Sequence, residues 1–215
     1  MSKNAPLRAR NFSSAEDEAK AAQPHGRYDG PGSSFRMAFT DTDFLLREEL
    51  RPVRLQLELL KAELVQQEQG VESTVVVFGS ARFKAPEVAA QMLEDATEGG
   101  DEAAIARARQ MVKNARWYDE ARRFGELVTR EADALGEPVI VATGGGPGIM
   151  EAGNRGAFDA GGRSMGMSIF LPFEEAPNPY ITPELCFQFH YFAIRKMHFL
   201  MRAVALVSFP GGLGT

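Results

Sequence analysis

Three short runs of this chain each end in a loop of glycine and other small residues, and this repeated pattern limits the fold more than any other feature. The loops read FGSAR (78–82), TGGGPGIM (143–150) and FPGGLGT (209–215). The run before each loop is apolar and rich in valine, as expected of a strand buried in a parallel sheet. Helical stretches lie between the runs. Strands that alternate with helices predict an α/β fold, a Rossmann-like doubly wound parallel sheet with helices on both faces.

The segments before the first strand predict two further parts. Residues 1–38 are rich in Ser, Ala, Gly, Pro and charge, and we expect a disordered tail because such a segment buries too little apolar surface. Residues 39–70 predict an extra N-terminal helix, which Pro52 is expected to kink or divide. One face of that helix is apolar, formed by Leu46, Leu50, Val53, Leu57, Leu60 and Leu64. Residues 71–215 then form the α/β domain.

Composition argues against several classes of protein. A net charge of −5 does not favour a broad nucleic-acid surface, and no apolar stretch is long enough to span a membrane. The single cysteine, Cys186, excludes an internal disulfide and a zinc site built from cysteines, and we expect it to be a small buried residue. The N-terminus lacks the apolar core of a signal peptide, so we expect a cytoplasmic protein.

The three loops predict a small phosphorylated ligand. In open α/β sheets ligands bind outside the carboxyl ends of the strands, and glycine lets an anion approach backbone N–H groups. Residues 144–149 lack the last glycine of the dinucleotide fingerprint, and no Gly-Lys-Ser/Thr motif is present. A ligand with one phosphate is therefore favoured over NAD or ATP. No spacing of His, Asp or Glu suggests a metal, and no cofactor is expected.

Five segments, in order, resemble the LOG family, the "lonely guy" phosphoribohydrolases once misnamed lysine decarboxylases. They are VVVFGSAR (75–82), GGGPGIMEAGNRGA (144–157), LPFEEAPNPY (171–180), FHYFAIRKMHF (189–199) and FPGGLGT (209–215). The resemblance implies hydrolysis of the N-glycosidic bond of AMP or an N6-modified AMP, which gives a free base and ribose 5-phosphate. It also implies a homodimer or larger homo-oligomer. A non-catalytic carrier of a phosphorylated nucleotide or cofactor, with a related fold, is the alternative.

The resemblance also assigns site residues. Arg195 is the catalytic candidate, and Lys196 completes the Arg-Lys pair of the family. The candidates for substrate binding are Lys196, Glu174, Gly79, Ser80, Gly144, Gly145, Gly146, Gly148, Gly211, Gly212, Leu213, Gly214 and Thr215. The family motif Pro-Gly-Gly-x-Gly-Thr-x-x-Glu matches residues 210–215, so its glutamate would follow Thr215, and we expect a chain truncated inside this motif. Without that glutamate, the chain is either inactive or uses another carboxylate, for which Glu174 is the candidate.

Three further residues, Glu175, Glu151 and Arg82, keep two interpretations. The family has an acidic residue after the third strand, and Glu175 fits this position almost as well as Glu174. Each of the two could equally be a carboxylate on the protein surface. Glu151 is either stabilised by the N-terminal dipole of its helix or a ligand contact. Arg82 either reaches phosphate or lies at the surface. His190 and His198 lie among aromatic residues and are given no catalytic role.

Overall fold

The structure is a computed structural model that describes residues 13–22, 24–30, 32–171 and 176–212. The chain divides into two compact units, Met1–Arg54 and Leu55–Thr215. The domain boundaries expected from the sequence stay a prediction.

The first unit contains short helices with side-chain caps. Helix α1 is Ala15–Ala21, and its first turn is capped by Ser14, whose hydroxyl accepts from the Asp17 N–H. A 3₁₀ turn at Gly26–Tyr28 precedes helix α2, Thr42–Leu45, which Asp41 caps in the same way. A second 3₁₀ turn, Glu48–Leu50, leads into helix α3, Arg51–Glu68, which continues into the second unit. Pro52 lies in the first turn of α3. Backbone N–H groups in a first turn have no acceptor within the helix, so the absence of an N–H in proline costs no helical hydrogen bond there.

The second unit is a five-stranded parallel sheet flanked by helices, which confirms the expected α/β class. Its strands are β1 Ser73–Phe78, β2 Val139–Thr143, β3 Ser164–Ile169, β4 Cys186–Phe189 and β5 Ala203–Ser208. The helices that connect them are α4 Pro86–Gly99, α5 Glu102–Asn114, α6 Arg116–Leu135, α7 Ile149–Asp159 and α8 Phe192–Met201. A 3₁₀ turn, Pro183–Leu185, precedes β4.

The strand order is β4-β3-β2-β1-β5, and every neighbouring pair is parallel. The chain moves outward from β1 through β2 and β3 to β4, and then returns to the other side of β1 with β5. The topological switch point is therefore between β1 and β5, where ligands bind in open α/β sheets.

Helices cover both faces of the sheet. Val76 belongs to one core with Ala62 of α3 and Phe199 of α8. Its neighbour Val77 points to the opposite face, into a second core with Tyr118 of α6 and Ile149 of α7. Successive side chains of a strand alternate in this way, and a central strand buries both sets.

Two expectations about burial are wrong. The last strand forms, but Val204 and Leu206 are 64% and 53% exposed, because β5 is an edge strand that pairs with β1 alone in the part of the chain described. Cys186 is exposed rather than buried, because it begins β4 at the opposite edge. In both cases the residue type indicates burial, while the position in the sheet decides the exposure.

Candidate functional site

A large cavity lies at the carboxyl edge of the sheet, over the switch point. Its volume is about 1570 Å³. The glycine loops after β1, β2 and β5 all contribute to its wall, together with α5 and α8. The lining residues are Phe78, Gly79, Ser80, Ala81, Arg82, Phe83, Lys84, Arg107, Gln110, Met111, Asn114, Gly144, Gly146, Pro147, Met150, Ile169, Leu171, Phe192, Arg195, Phe199, Pro210, Gly211 and Gly212.

The loop after β1 is held between the other two loops by backbone contacts. The Ser80 N–H donates to the Pro210 carbonyl at 3.2 Å, and the Ser80 carbonyl accepts from the Ile149 N–H at 3.1 Å. Gly148 has φ +72°, and a Cβ there would lie 2.5 Å from the Ser80 carbonyl oxygen. Only glycine permits both this conformation and this approach. The three loops therefore form one continuous wall.

A buried polar network holds the triple-glycine loop. The side-chain amide of Asn178 donates to the carbonyl oxygens of Gly145 and Gly146, each at 3.1 Å, and to Asn154 Oδ1 at 3.0 Å. Thr143 donates to the same Asn154 oxygen at 2.6 Å, and its hydroxyl accepts from the Gly145 N–H. Buried polar groups fixed by several partners rigidify the backbone around them.

Arg195 reaches the same edge from α8. Its Nε donates to the Met167 carbonyl at 2.6 Å, and a terminal nitrogen donates to the Gly144 carbonyl at 3.3 Å. Its guanidinium carbon lies 5.2 Å from the centre of the Phe199 ring, within cation–π range. These contacts fix the guanidinium in the cavity wall beside the triple-glycine loop.

Helix α8 is itself anchored to α3. The carboxylate of Glu58 accepts from the backbone N–H groups of His190 and Tyr191 at 2.8 and 3.0 Å, directly before the helix begins. Arg202, just after the helix, forms a bidentate pair with Glu63 in which both distances are 2.8 Å. The hydrogen bond to Arg202, followed by its charge, lowers the pKa of Glu63. Both ends of the helix that carries Arg195 are thus held.

Glu151, in the first turn of α7, has a partner outside the cavity. The Tyr118 hydroxyl donates to its carboxylate at 2.6 Å, which ties α7 to α6. Burial, followed by this hydrogen bond, raises the pKa of Tyr118. Glu151 is not a lining residue of the cavity, and its position in the first turn of α7 is compatible with stabilisation by the helix dipole.

The charged residues described in the lining are all cations. They are Arg82, Lys84, Arg107 and Arg195, and the described lining residues include no Asp or Glu. This sign contrasts with the net charge of −5 for the whole chain. The local field therefore favours an anionic ligand.

The structure brings together half of the residues assigned from the sequence. Gly79, Ser80, Gly144, Gly146, Gly211, Gly212 and Arg195 line the cavity. Gly145 and Gly148 belong to the loop after β2 but are not lining residues of the cavity. Lys196 is exposed on α8 and is not a lining residue. Glu174, Leu213, Gly214 and Thr215 lie outside the described residues, as does Glu175.

Sequence reasoning missed two parts of this site. One is the wall formed by α5, whose residues Arg107, Gln110, Met111 and Asn114 recur at helical spacing and face the cavity. The helical spacing is visible in the sequence, but it does not indicate which face of α5 lies against the glycine loops. The other is Asn178, which lies between two prolines inside the third motif and was assigned no role.

Within the described residues, no group of three or more His, Cys, Asp or Glu side chains is placed to hold a metal ion. None of the described helices is long and apolar enough to cross a membrane.

Comparison with known proteins supports the resemblance seen in the motifs. Residues 150–215 match the family described as "Possible lysine decarboxylase". The match spans part of the second motif and all of the last three. A comparison with curated proteins gives no match.

One of the solved structures that this chain matches is described as the X-ray structure of TM1055, a target of the Northeast Structural Genomics Consortium. The sequences are 24% identical, the TM-score is 0.37, and the alignment covers 66% of this chain and 63% of that chain.

Proposed function

We propose, from the premise that this chain belongs to the LOG family, that it hydrolyses the N-glycosidic bond of a nucleoside 5′-monophosphate to a free base and ribose 5-phosphate. The family suggests an enzyme of the nucleotide phosphoribohydrolase type. The observation that carries the proposal is the position of Arg195. It belongs to the matched segment, and it lies in the cavity wall with its guanidinium 3.3 Å from the Gly144 carbonyl.

Cleavage of the bond between C1′ and the base builds positive charge on the ribose, as in glycoside hydrolysis. A carboxylate close to C1′ stabilises that charge and orients or deprotonates the attacking water. In our proposal Arg195 positions the ligand and keeps such a carboxylate ionised by pairing with it. The contacts of Arg195 with Met167 and Gly144 mean that little reorganisation is needed when substrate arrives.

Backbone groups would hold the 5′-phosphate. Gly211 and Gly212 line the cavity beside Ser80, and we assign them, with Leu213, Gly214 and Thr215 of the same loop, to this anion. Phosphate fixed at one end of the cavity lets remote binding energy orient the sugar for reaction. We leave Lys196 as a secondary binding candidate, because its side chain is exposed on α8.

Glu174 is our candidate for the carboxylate at the ribose. It follows Leu171, a lining residue, by three positions in the sequence. Glu174→Gln removes the charge with little change in size, and Glu175→Gln is the matched control. A larger loss of kcat in Glu174→Gln than in Glu175→Gln supports the assignment, and the reverse order transfers the role to Glu175.

The decisive experiment incubates the purified chain with AMP and follows adenine and ribose 5-phosphate by chromatography. We expect release of both, and a decrease of at least about a hundredfold in Arg195→Ala. Arg109→Ala is the control, because Arg109 is an exposed cation on α5 that does not line the cavity. A wild-type chain that binds AMP and releases no adenine contradicts the enzymatic proposal and favours the carrier. The same assay on an N6-substituted AMP decides which substrate is preferred.

We also propose that the protein assembles as a homodimer or larger homo-oligomer. Three leucines on one side of α3, Leu57, Leu60 and Leu64, are each about half exposed. An apolar row of this kind is common at an interface between subunits. Light scattering coupled to gel filtration measures the mass, and Leu60→Glu should lower it. A wild-type monomer contradicts the proposal.

A further inference from the structure

We propose that Glu58 of α3 is a positioning residue for Arg195, because its carboxylate fixes the backbone at which α8 begins. The inference rests on the proposed function for the role of Arg195 toward the substrate. It adds a residue that lies outside the five motifs and outside the matched segment 150–215. The helical extension that precedes the sheet would then take part in the activity.

The contact joins two helices that are distant in the sequence. Glu58 Oε2 accepts from the His190 N–H at 2.8 Å, and Glu58 Oε1 accepts from the Tyr191 N–H at 3.0 Å. Hydrogen bonds to a carboxylate are charge-assisted and stronger than those between neutral groups. Because each oxygen has its own donor, the contact fixes the orientation of this piece of backbone as well as its position.

Helix α8 has no cap of its own that could replace this contact. Its N-cap residue is Tyr191, which makes no side-chain capping hydrogen bond, and its first turn contains no acidic residue. Tyrosine is not among the residues that commonly cap a helix. The N-terminal end of a helix carries a partial positive charge, so a carboxylate beside it is also favourable electrostatically. The start of α8 therefore depends on α3.

One residue connects Glu58 to Arg195. The N–H of Tyr191 donates to Glu58, and the carbonyl of Tyr191 accepts from the Arg195 N–H at 3.1 Å. Arg195 is the fourth residue of α8, so a shift of the helix start moves it directly. Such a shift would draw its guanidinium away from the carbonyls of Met167 and Gly144. A misplacement of about 1 Å can lower a rate by about a hundredfold.

The other side-chain contacts of α8 with α3 follow Arg195 in the sequence. They are made by His198 with Gln66 and, just after the helix, by Arg202 with Glu63. These contacts keep α8 on α3 when the contact at its start is lost. We therefore expect a substitution of Glu58 to displace the beginning of the helix without releasing the whole helix.

The test is a double-mutant cycle between Glu58 and Arg195 in the full chain, with adenine release from AMP as the measurement. Glu58→Gln keeps the size of the side chain but replaces one carboxylate oxygen by an NH₂ group, which cannot accept the second hydrogen bond. We expect kcat to fall by roughly ten- to a hundredfold, with a smaller change in KM. In Arg195→Ala the same substitution should change kcat by less than about twofold, because the two residues act through one position.

Glu72→Gln is the matched control, because Glu72 is an exposed carboxylate between α3 and β1, and it should change kcat by less than about twofold. Circular dichroism with urea unfolding gives the folded fraction to which every rate is referred. A kcat for Glu58→Gln within twofold of the wild type overturns the inference. Equal losses with and without Arg195 overturn it as well, since Glu58 would then act on the fold in general.

The proposed function can fail separately. If the wild type binds AMP but releases no adenine, the enzymatic proposal is wrong, and the same cycle is measured as AMP affinity by calorimetry. Weaker binding in Glu58→Gln that disappears in the Arg195→Ala background supports the positioning role, and an unchanged or additive affinity overturns it. A wild type that neither binds nor hydrolyses AMP overturns both.

Discussion

Asn178 holds Gly145 from two directions, because its backbone N–H and its side-chain amide both donate to the Gly145 carbonyl oxygen, at 2.9 and 3.1 Å. Asn178 is only 7% exposed. A carbonyl with two donors, inside a loop with few conformational constraints of its own, is fixed far more firmly than glycine alone would allow.

We therefore expect Asn178→Ala to lower stability by about 1–3 kcal/mol, the usual cost of leaving buried polar partners unsatisfied. The substitution also removes the hydrogen bonds that fix the loop beside Arg195. We therefore expect weaker binding of AMP even under conditions in which the variant is fully folded. Urea unfolding and calorimetry measure the two effects. Gln188→Ala, which removes an exposed amide from β4, is the control and should change neither. Unchanged AMP affinity in a folded Asn178→Ala would contradict the positioning role.

A second prediction concerns the combined cost of backbone conformation and steric contact at Gly148. Gly148 and Gly100 share a positive φ, +72° and +71°, but Gly100 is in the left-handed helical region (ψ 6°) whereas Gly148 has ψ −129°. A Cβ on Gly148 would lie 2.5 Å from the Ser80 carbonyl oxygen, whereas a Cβ on Gly100 would meet nothing within 4 Å. Alanine at Gly100 should cost about 1–2 kcal/mol, the usual penalty for a positive φ.

Gly148→Ala should cost clearly more than Gly100→Ala, since alanine fits the backbone conformation of Gly148 less well and must also displace the loop after β1. The two unfolding midpoints in urea measure this combined difference. Equal midpoints would mean that this contact does not constrain the site. Because the displaced loop carries Ser80, we expect weaker binding of AMP in Gly148→Ala and unchanged binding in Gly100→Ala.

The strands, the glycine loops and their meeting point followed from the sequence, because apolar runs that end in glycine have few alternatives. Arg195 could be assigned to the site only through its motif, since an Arg-Lys pair on a helix is by itself an ordinary exposed pair. The contacts that could not be predicted join residues that are far apart in the sequence. Asn178 is 33 residues from Gly145 in sequence, and its value as an anchor depends on a loop that folds back over the sheet.

The face of α5 that lines the cavity could not be predicted either, because it also depends on contacts between distant segments. Arg107, Gln110 and Asn114 have the spacing and polarity of a solvent-exposed helical face, and only the tertiary packing turns that face toward the glycine loops. The exposure of Cys186 and Val204 likewise depended on which strands occupy the edges. Strand order is a property of pairing between distant segments, and residue type carries no information about it.

The last prediction concerns His198, which is buried between α3 and α8 with its Nδ1 3.3 Å from the Gln66 amide. Burial lowers its pKa, opposed chiefly by the charge of Glu63, with Glu58 acting in the same direction and Arg202 in the other. The unfolded chain therefore takes up a proton at this residue more readily than the folded chain does. Its contribution to stability is complete above the unfolded pKa, near 6.5, and is lost as the pH falls toward the lower folded value.

Within that window the free energy of unfolding should fall by at most about 1.4 kcal/mol per pH unit from this group. Urea unfolding at pH 7.5 and pH 5.5 measures the change, at pH values above the usual range of the carboxylates. His198→Gln should have a lower free energy of unfolding than the wild type at pH 7.5. Its free energy of unfolding should, however, change much less between pH 7.5 and pH 5.5. His190→Gln is the control, because His190 is exposed, and should keep that difference. A difference that persists in His198→Gln would mean that other groups carry the pH dependence. A lower rate of adenine release at pH 5.5 in the wild type, but not in His198→Gln, would further link this buried contact to the helix that positions Arg195.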